Sequence, residues 1–232
     1  MFTGASAFNQ DLDLWNTSSV NTMQAMFTSA SLFNGNVTTW NTSSVTNMSD
    51  MFAQATSFNR NIGSWNVFNV TSFTNMFLNS NFNNGGSSSI NNWTIKTTGT
   101  VSMFAMFQSA TSFNQPIGNW NTSAVTTMYN MFNRATLFNQ DLGSGNWNMS
   151  NVSNLSNMFA GATSFNNGGS PSINNWSIKT TGTVTMDAMF SGGSSFNQDI
   201  SGWNVSSVTT MYLMLNAAFS LIAFSTVGLG VI

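Results

Sequence analysis

Apolar residues along this chain fall in one phase that recurs about every 25 residues, with three longer steps. The pair Met-Phe marks it at Met1-Phe2, Met26-Phe27, Met51-Phe52, Met76-Phe77, Met106-Phe107, Met131-Phe132, Met158-Phe159 and Met189-Phe190, and weakens to Met214-Leu215. Aligned, the copies read Met-Phe-x-x-Ala-x-x-Phe-Asn-x-x-Ile/Leu-x-x-Trp-Asn-x-Ser-x-Val-Thr-x-Met-x-x. A period in this range predicts a repeat solenoid of about nine coils, because no single unit buries its apolar face alone. Residues 1–213 would hold about eight full repeats. Residues 214–232 would form a degenerate apolar terminal coil or tail.

Within a copy, two elements are expected. Apolar residues three apart in Val-Thr-x-Met-x-x-Met-Phe-x-x-Ala, as at Val45, Met48, Met51 and Phe52, predict a short helical or 3-10 turn. The stretch from Phe-Asn to Trp-Asn carries Asp, Gly and Asn between its apolar residues, as at Asp11, Gly63 and Gly143. It predicts a short strand around Ile/Leu-x-x-Trp with turns on both sides. Stacked copies would align these strands about 4.8 Å apart in one parallel, β-rich array.

Two columns stand out. One tryptophan falls in each copy, at Trp15, Trp40, Trp65, Trp93, Trp120, Trp147, Trp176 and Trp203, and is expected in the core. One asparagine follows the second phenylalanine, at Asn9, Asn34, Asn59, Asn83, Asn114, Asn139, Asn166 and Asn197. An amide both donates and accepts, so this column is expected to be a buried structural ladder serving turn backbone in neighbouring coils.

Two departures break the regularity. Phe82 to Met103 and Phe165 to Met186 are nearly identical longer copies, with insertions at 83–92 and 166–175. They lie about 83 residues apart, and both lysines, Lys96 and Lys179, occupy equivalent places in them. Their Gly-Gly-Ser runs suggest a bulging, flexible loop, either a tolerated duplication or a pair of contact knobs. The second departure is the uncharged stretch from Leu213 to Ile232, which is long enough to cross a bilayer. It lacks a basic flank, and Met214, Leu215 and Ala218 keep the repeat phase. A terminal coil, a subunit contact through Leu215, Phe219, Leu221, Ile222 and Phe224, and a membrane segment all remain open.

Composition narrows the chemistry. Four basic and six acidic residues make the chain about 4% charged, so no basic stripe exists to bind nucleic acid. The chain has no cysteine, histidine or glutamate. Asp11, Asp141 and Asp199 share one repeat position, replaced by Asn36 and Asn61 elsewhere, and read as turn-forming residues rather than calcium ligands. No enzyme activity, catalytic residue, metal or cofactor is expected. Among many Asn-x-Ser/Thr sequons, those after the tryptophans would crowd one another on consecutive coils, so they read as structural. Asn47, Asn69, Asn92 and Asn175 lie off that column and are the candidate glycosylation sites. Met1 already occupies the repeat's Met position, so no leader is visible and the chain reads as processed or as a piece of a longer protein.

The pattern from Met106 to Met128 resembles the BspA-like bacterial surface protein repeat of about 25 residues. That family is distantly related to leucine-rich repeats and occurs on surface lipoproteins of mycoplasmas and listerias, and in some protists and large viruses. The resemblance covers nearly the whole chain and implies a leucine-rich-repeat-like solenoid displayed outside the cell, with no shared chemistry. The expected role is an extracellular or cell-surface structural protein that associates end to end with itself. An adhesin recognising a surface protein or glycan is the alternative. A third reading, ice binding by Thr46, Thr71, Thr126, Thr185 and Thr209, is weakened because that row is single and interrupted.

Overall fold

The computed structural model describes residues 1–218. Each copy lies against the next in parallel. Thr22, Asn47, Ser72, Ser102, Thr127, Asn154, Thr185 and Thr210 pair in sequence along one continuous row. Four stretches of that row are regular strands: β1 (Val101–Ser102), β2 (Val125–Thr127), β3 (Val184–Thr185) and β4 (Val208–Thr210). β1 pairs with β2, and β3 with β4, each across a register shift. The result is a β-rich repeat protein made mostly of turns and short parallel bridges.

The strands are not where the sequence suggested. They form at Val-Thr-x, not around Ile/Leu-x-x-Trp. Polar residues between Ile and Trp turn the chain locally: Asn61 Oδ1 accepts from the Gly63 N–H at 3.0 Å, and the Trp65 N–H donates to the Ile62 carbonyl at 3.0 Å. That turn puts Ile62 and Trp65 on the same inward side, whereas a strand would send residues three apart to opposite faces. Val-Thr-x carries β-branched residues, which suit extended pairing.

The expected helical turn is also replaced. From Met23 to Ala30, alternate N–H groups take different directions. Met23, Ala25, Phe27 and Ser29 donate to Asn47, Ser49, Met51 and Ala53 of the next copy, while Met26, Thr28 and Ala30 donate back to Met23, Ala25 and Phe27. Ala25 and Ser29 take left-handed conformations, φ 54° and 57°, and so do Asp50 and Gln54 one copy on. A helix would return every N–H along its own chain. Here half of them reach the neighbour, so the three-residue apolar spacing is a turn spacing. Among the described residues, 3-10 geometry occurs in the inserted copies, at Asn84–Gly86, Ser88–Asn92, Asn167–Gly169 and Pro171–Asn175.

The core is a set of aromatic columns. Phe52 and Phe58 stack within one copy at 3.7 Å, and each stacks on its counterpart in the next, Phe77 at 5.9 Å and Phe82 at 6.0 Å. These contacts continue from Phe2 and Phe8 to Phe190 and Phe196. Rings repeated by near-translation must lie parallel, which selects offset stacking over edge-to-face packing. The indole N–H of each tryptophan from Trp40 to Trp203 donates to the carbonyl of an apolar residue three before the previous copy's tryptophan, except that Trp176 reaches Leu142 O, five before Trp147, at 3.2 Å. Thus Trp40 reaches Leu12 O at 2.8 Å, Trp120 reaches Ile90 O at 2.9 Å and Trp203 reaches Ile173 O at 2.8 Å. Trp40, Trp65, Trp93, Trp120, Trp147, Trp176 and Trp203 are buried. Trp15 departs from the expected core position. It stacks on Trp40 on one side and is 41% exposed, because no described copy covers its other face.

The insertions do not bulge. Asn84 and Asn167 are fully buried; Asn84 Oδ1 accepts from the Ile62 N–H at 2.9 Å, and its Nδ2 donates to the Ser87 carbonyl at 2.7 Å. The inserted segment lies so close to the preceding copy that a Cβ on Gly63 would sit 2.1 Å from Ser89 Oγ. Gly143 meets Ser172 in the same way before the second insertion.

Two stability tests follow from this packing. Trp120→Ala removes a fully buried ring and its indole bond, and should cost about 3–5 kcal/mol in denaturant unfolding. Gly63→Ala should destabilise by about 1–3 kcal/mol through overpacking against Ser89. An unchanged midpoint in either variant would contradict the packing described.

Candidate functional site

The polar columns are spent on holding copies together. Along the asparagine column, Oδ1 of each residue accepts the backbone N–H of its counterpart in the next copy, from Asn34 on Asn9 at 2.7 Å to Asn197 on Asn166 at 2.9 Å. Asn59, Asn83, Asn114, Asn139 and Asn166 make the same bond at 2.8–3.0 Å. The column runs along the surface, exposed or half-buried, and not in the interior as expected. Its bonds are local to the turn edge, so water can reach them without leaving a polar group unsatisfied.

The asparagine after tryptophan has a different task. Asn16, Asn41, Asn66, Asn121, Asn148 and Asn204 each accept the N–H two residues on, at 2.8–3.1 Å. This closes an Asx turn in each of those copies. The inserted copies have Thr94 and Ser177 at that position. Four of the five threonines in the row donate to backbone, Thr46 Oγ1 to Asn21 O at 3.1 Å, Thr71 to Thr46 O at 3.1 Å, and Thr126 and Thr209 to Val101 and Val184 carbonyls, while Thr185 Oγ1 is buried without a hydrogen-bond partner. Hydroxyls pointed at backbone leave little of a regular row for ice.

The candidate glycosylation asparagines differ in surroundings. Asn47 is half-buried in the paired row, accepting from Ser49 N–H at 2.9 Å and donating to Gln24 Oε1 at 3.3 Å. Asn69 is exposed, with Nδ2 on Ser43 O at 2.8 Å. Asn92 and Asn175 are exposed at the ends of the inserted 3-10 segments. Of the residues expected to join subunits, Leu215 packs half-buried on the core, while Phe219, Leu221, Ile222 and Phe224 lie outside the described residues.

The aspartates do not converge. Among the described residues, no three His, Cys, Asp or Glu side chains approach closely enough to hold a metal ion. Asp11 Oδ1 accepts from the Asn36 N–H at 2.7 Å. Asp199 accepts from Ser201 N–H at 2.8 Å, and that backbone bond, with the Ser201 hydroxyl, lowers its pKa. Asp141 gathers the most donors: Ser172 Oγ at 2.6 Å, Gly143 N–H at 2.9 Å and Ser144 N–H at 3.1 Å. Partial burial pushes its carboxyl up, but the bonds from Ser172, Ser144 and Gly143 outweigh burial and hold it well below the ordinary value of 3.8. Asp141 thus clamps the second insertion to the copy before it.

Among the described residues, two open depressions lie beside the inserted copies. One, of about 370 Å³, lies between Gly63–Phe68 and the pair Asn92 and Thr94. The other, of about 550 Å³, lies between Asn174–Ile178 and Gly202 and Asn204. Sequence reasoning passed over them. The two depressions share the Asn-Trp-Thr/Ser segment of the longer copies, Asn92–Thr94 and Asn175–Ser177. Exposed aromatics also break the polar surface at Phe68, and at Phe104, which stacks on Tyr129 at 5.0 Å. No described helix is long and apolar enough to cross a membrane.

The parallel rows, stacked rings and repeating polar bonds define a repeat protein. Three overlapping stretches, residues 1–104, 82–184 and 143–224, match the family described as Mycoplasma protein of unknown function, DUF285. The chain belongs to this family. No curated protein and no solved structure matches it.

The Asp141 clamp makes a pH prediction. A carboxyl held below its unfolded pKa stabilises the fold fully above that unfolded value, and the contribution is lost as pH falls through it toward the folded value. Melting temperature should therefore fall on acidification below about pH 4. Asp141→Asn should flatten that acid limb, with Asp199 leaving a shallower one. An identical acid limb in the variant would remove Asp141 from this role.

Proposed function

We propose that this chain is a non-enzymatic structural protein of the cell exterior, a leucine-rich-repeat-like solenoid of about nine coils related to the BspA-like surface repeats. Its copies continue from one subunit to the next. One observation carries this reading: the row from Thr22 to Thr210 runs through every described copy, and each copy bonds to its neighbours in the same way. A surface that binds its own translated image extends without limit, since a head-to-tail contact that does not close makes a filament. The near absence of charge fits as well, because little repulsion opposes close approach of copies.

The second reading, a surface module binding a protein or glycan, draws on the paired depressions beside the inserted copies. Electron microscopy of the purified chain separates the two. Filaments that disperse on Trp15→Arg, with the melting temperature of the chain retained, support the assembly. Monodisperse single particles at high concentration would overturn it.

A further inference from the structure

The inserted copies change the surface at one place. In the copies that carry asparagine after tryptophan, that asparagine closes an Asx turn, as Asn41 and Asn121 do for Ser43 and Ser123. In the inserted copies Thr94 and Ser177 stand there, and each lines a depression: Thr94 together with the intact Asx turn of Asn66 in the copy before, and Ser177 together with Gly202 and Asn204 of the copy after. The two depressions share the equivalent residues Asn92 and Asn175 of the Asn-Trp-Thr/Ser segment.

The first depression has a further feature. Phe68 lines it and is 47% exposed. The turn that holds Phe68 is the ordinary one, its N–H on Asn66 Oδ1 at 3.0 Å, and Ser18, Ser43 and Ser123 occupy that turn position elsewhere. An aromatic ring has thus replaced a serine without any change of backbone, and it packs into no core. Around it stand the amides of Asn66 and Asn92 and the hydroxyl of Thr94, all three residues exposed, and no lining side chain is charged.

We infer that this depression is a binding site for a neutral sugar, with Phe68 stacking on the pyranose ring and Asn66, Asn92 and Thr94 hydrogen-bonding its hydroxyls. The chemistry of the lining selects that class. A pyranose offers an apolar C–H face to an aromatic ring and a rim of hydroxyls that both donate and accept. An amide does the same and matches such a rim in two directions at once. A nucleotide, an acidic peptide or a sulfated glycan would bring charge to a wall that has none to pair with it. An apolar peptide would leave the asparagine amides desolvated without partners. A shallow, open shape suits a chain that passes over the surface. The site lies on the flank of the stack, so it is independent of end-to-end assembly.

The test uses the full chain produced in a host that adds no glycans. It is applied to a printed panel of neutral, sialylated and sulfated oligosaccharides, with titration calorimetry on the best neutral hit. Neutral glycans should be retained over acidic ones. Phe68→Ser, which installs the residue of the other copies, should weaken binding about tenfold while leaving the melting temperature unchanged. Thr94→Val should weaken it in the same direction. Retention of no neutral glycan, preference for acidic ones, or unchanged affinity in Phe68→Ser would each overturn the proposal. Filament formation that persists in Phe68→Ser would show that assembly and sugar binding are separate.

Discussion

Among the described residues, each copy completes its backbone hydrogen bonding through the copies beside it. Alternate N–H groups between Met23 and Ala30 leave the copy altogether, as do those of Phe52 and Gln54 toward Met76 and Leu78. An isolated copy would leave these donors to water and half of its aromatic surface uncovered. Translation of one unit onto another is therefore the condition for folding, and the remaining structure follows from it.

That condition explains the amino acids chosen. A column of identical side chains must tolerate itself at the spacing of the stack. Parallel phenylalanines do so by offset stacking, at 5.3–6.2 Å between copies. Asparagines do so because one amide oxygen accepts from the next copy's backbone. Lysine or glutamate in such a column would repel its own image at each step. The scarcity of charge is thus a structural requirement of the column positions.

The column pattern is broken at a few positions. The inserted copies are such places. Their buried amides, Asn84 and Asn167, and the Asp141 clamp hold the insertions on the preceding copy, and Thr94 and Ser177 stand where asparagine follows tryptophan elsewhere. Phe68 adds an exposed ring beside one of them. A regular scaffold thus carries local irregularity at a defined height along the stack.

Much of the architecture was legible in the order of residues. The period, the parallel stacking, the aromatic positions and the two longer copies all follow from side chains recurring in phase, since burial of a column needs the same residue type at the same place. The assignment of local backbone did not follow. Residues three apart suit a helix, a 3-10 turn and a series of turns equally, and the choice among them depends on where each N–H finds a carbonyl. That carbonyl belongs to the next copy, about 25 residues away, and becomes available only when the two lie side by side. The strand fell at Val-Thr, not before Trp, for the same reason: Asn61 could turn its own segment, while Thr46 had to look to Asn21 and Thr71. The exposure of Trp15 was likewise decided by a face that no described copy covers. Sequence alone determined what repeats; the tertiary stack decided the path of the chain, because half of each copy's hydrogen-bond partners lie in another copy.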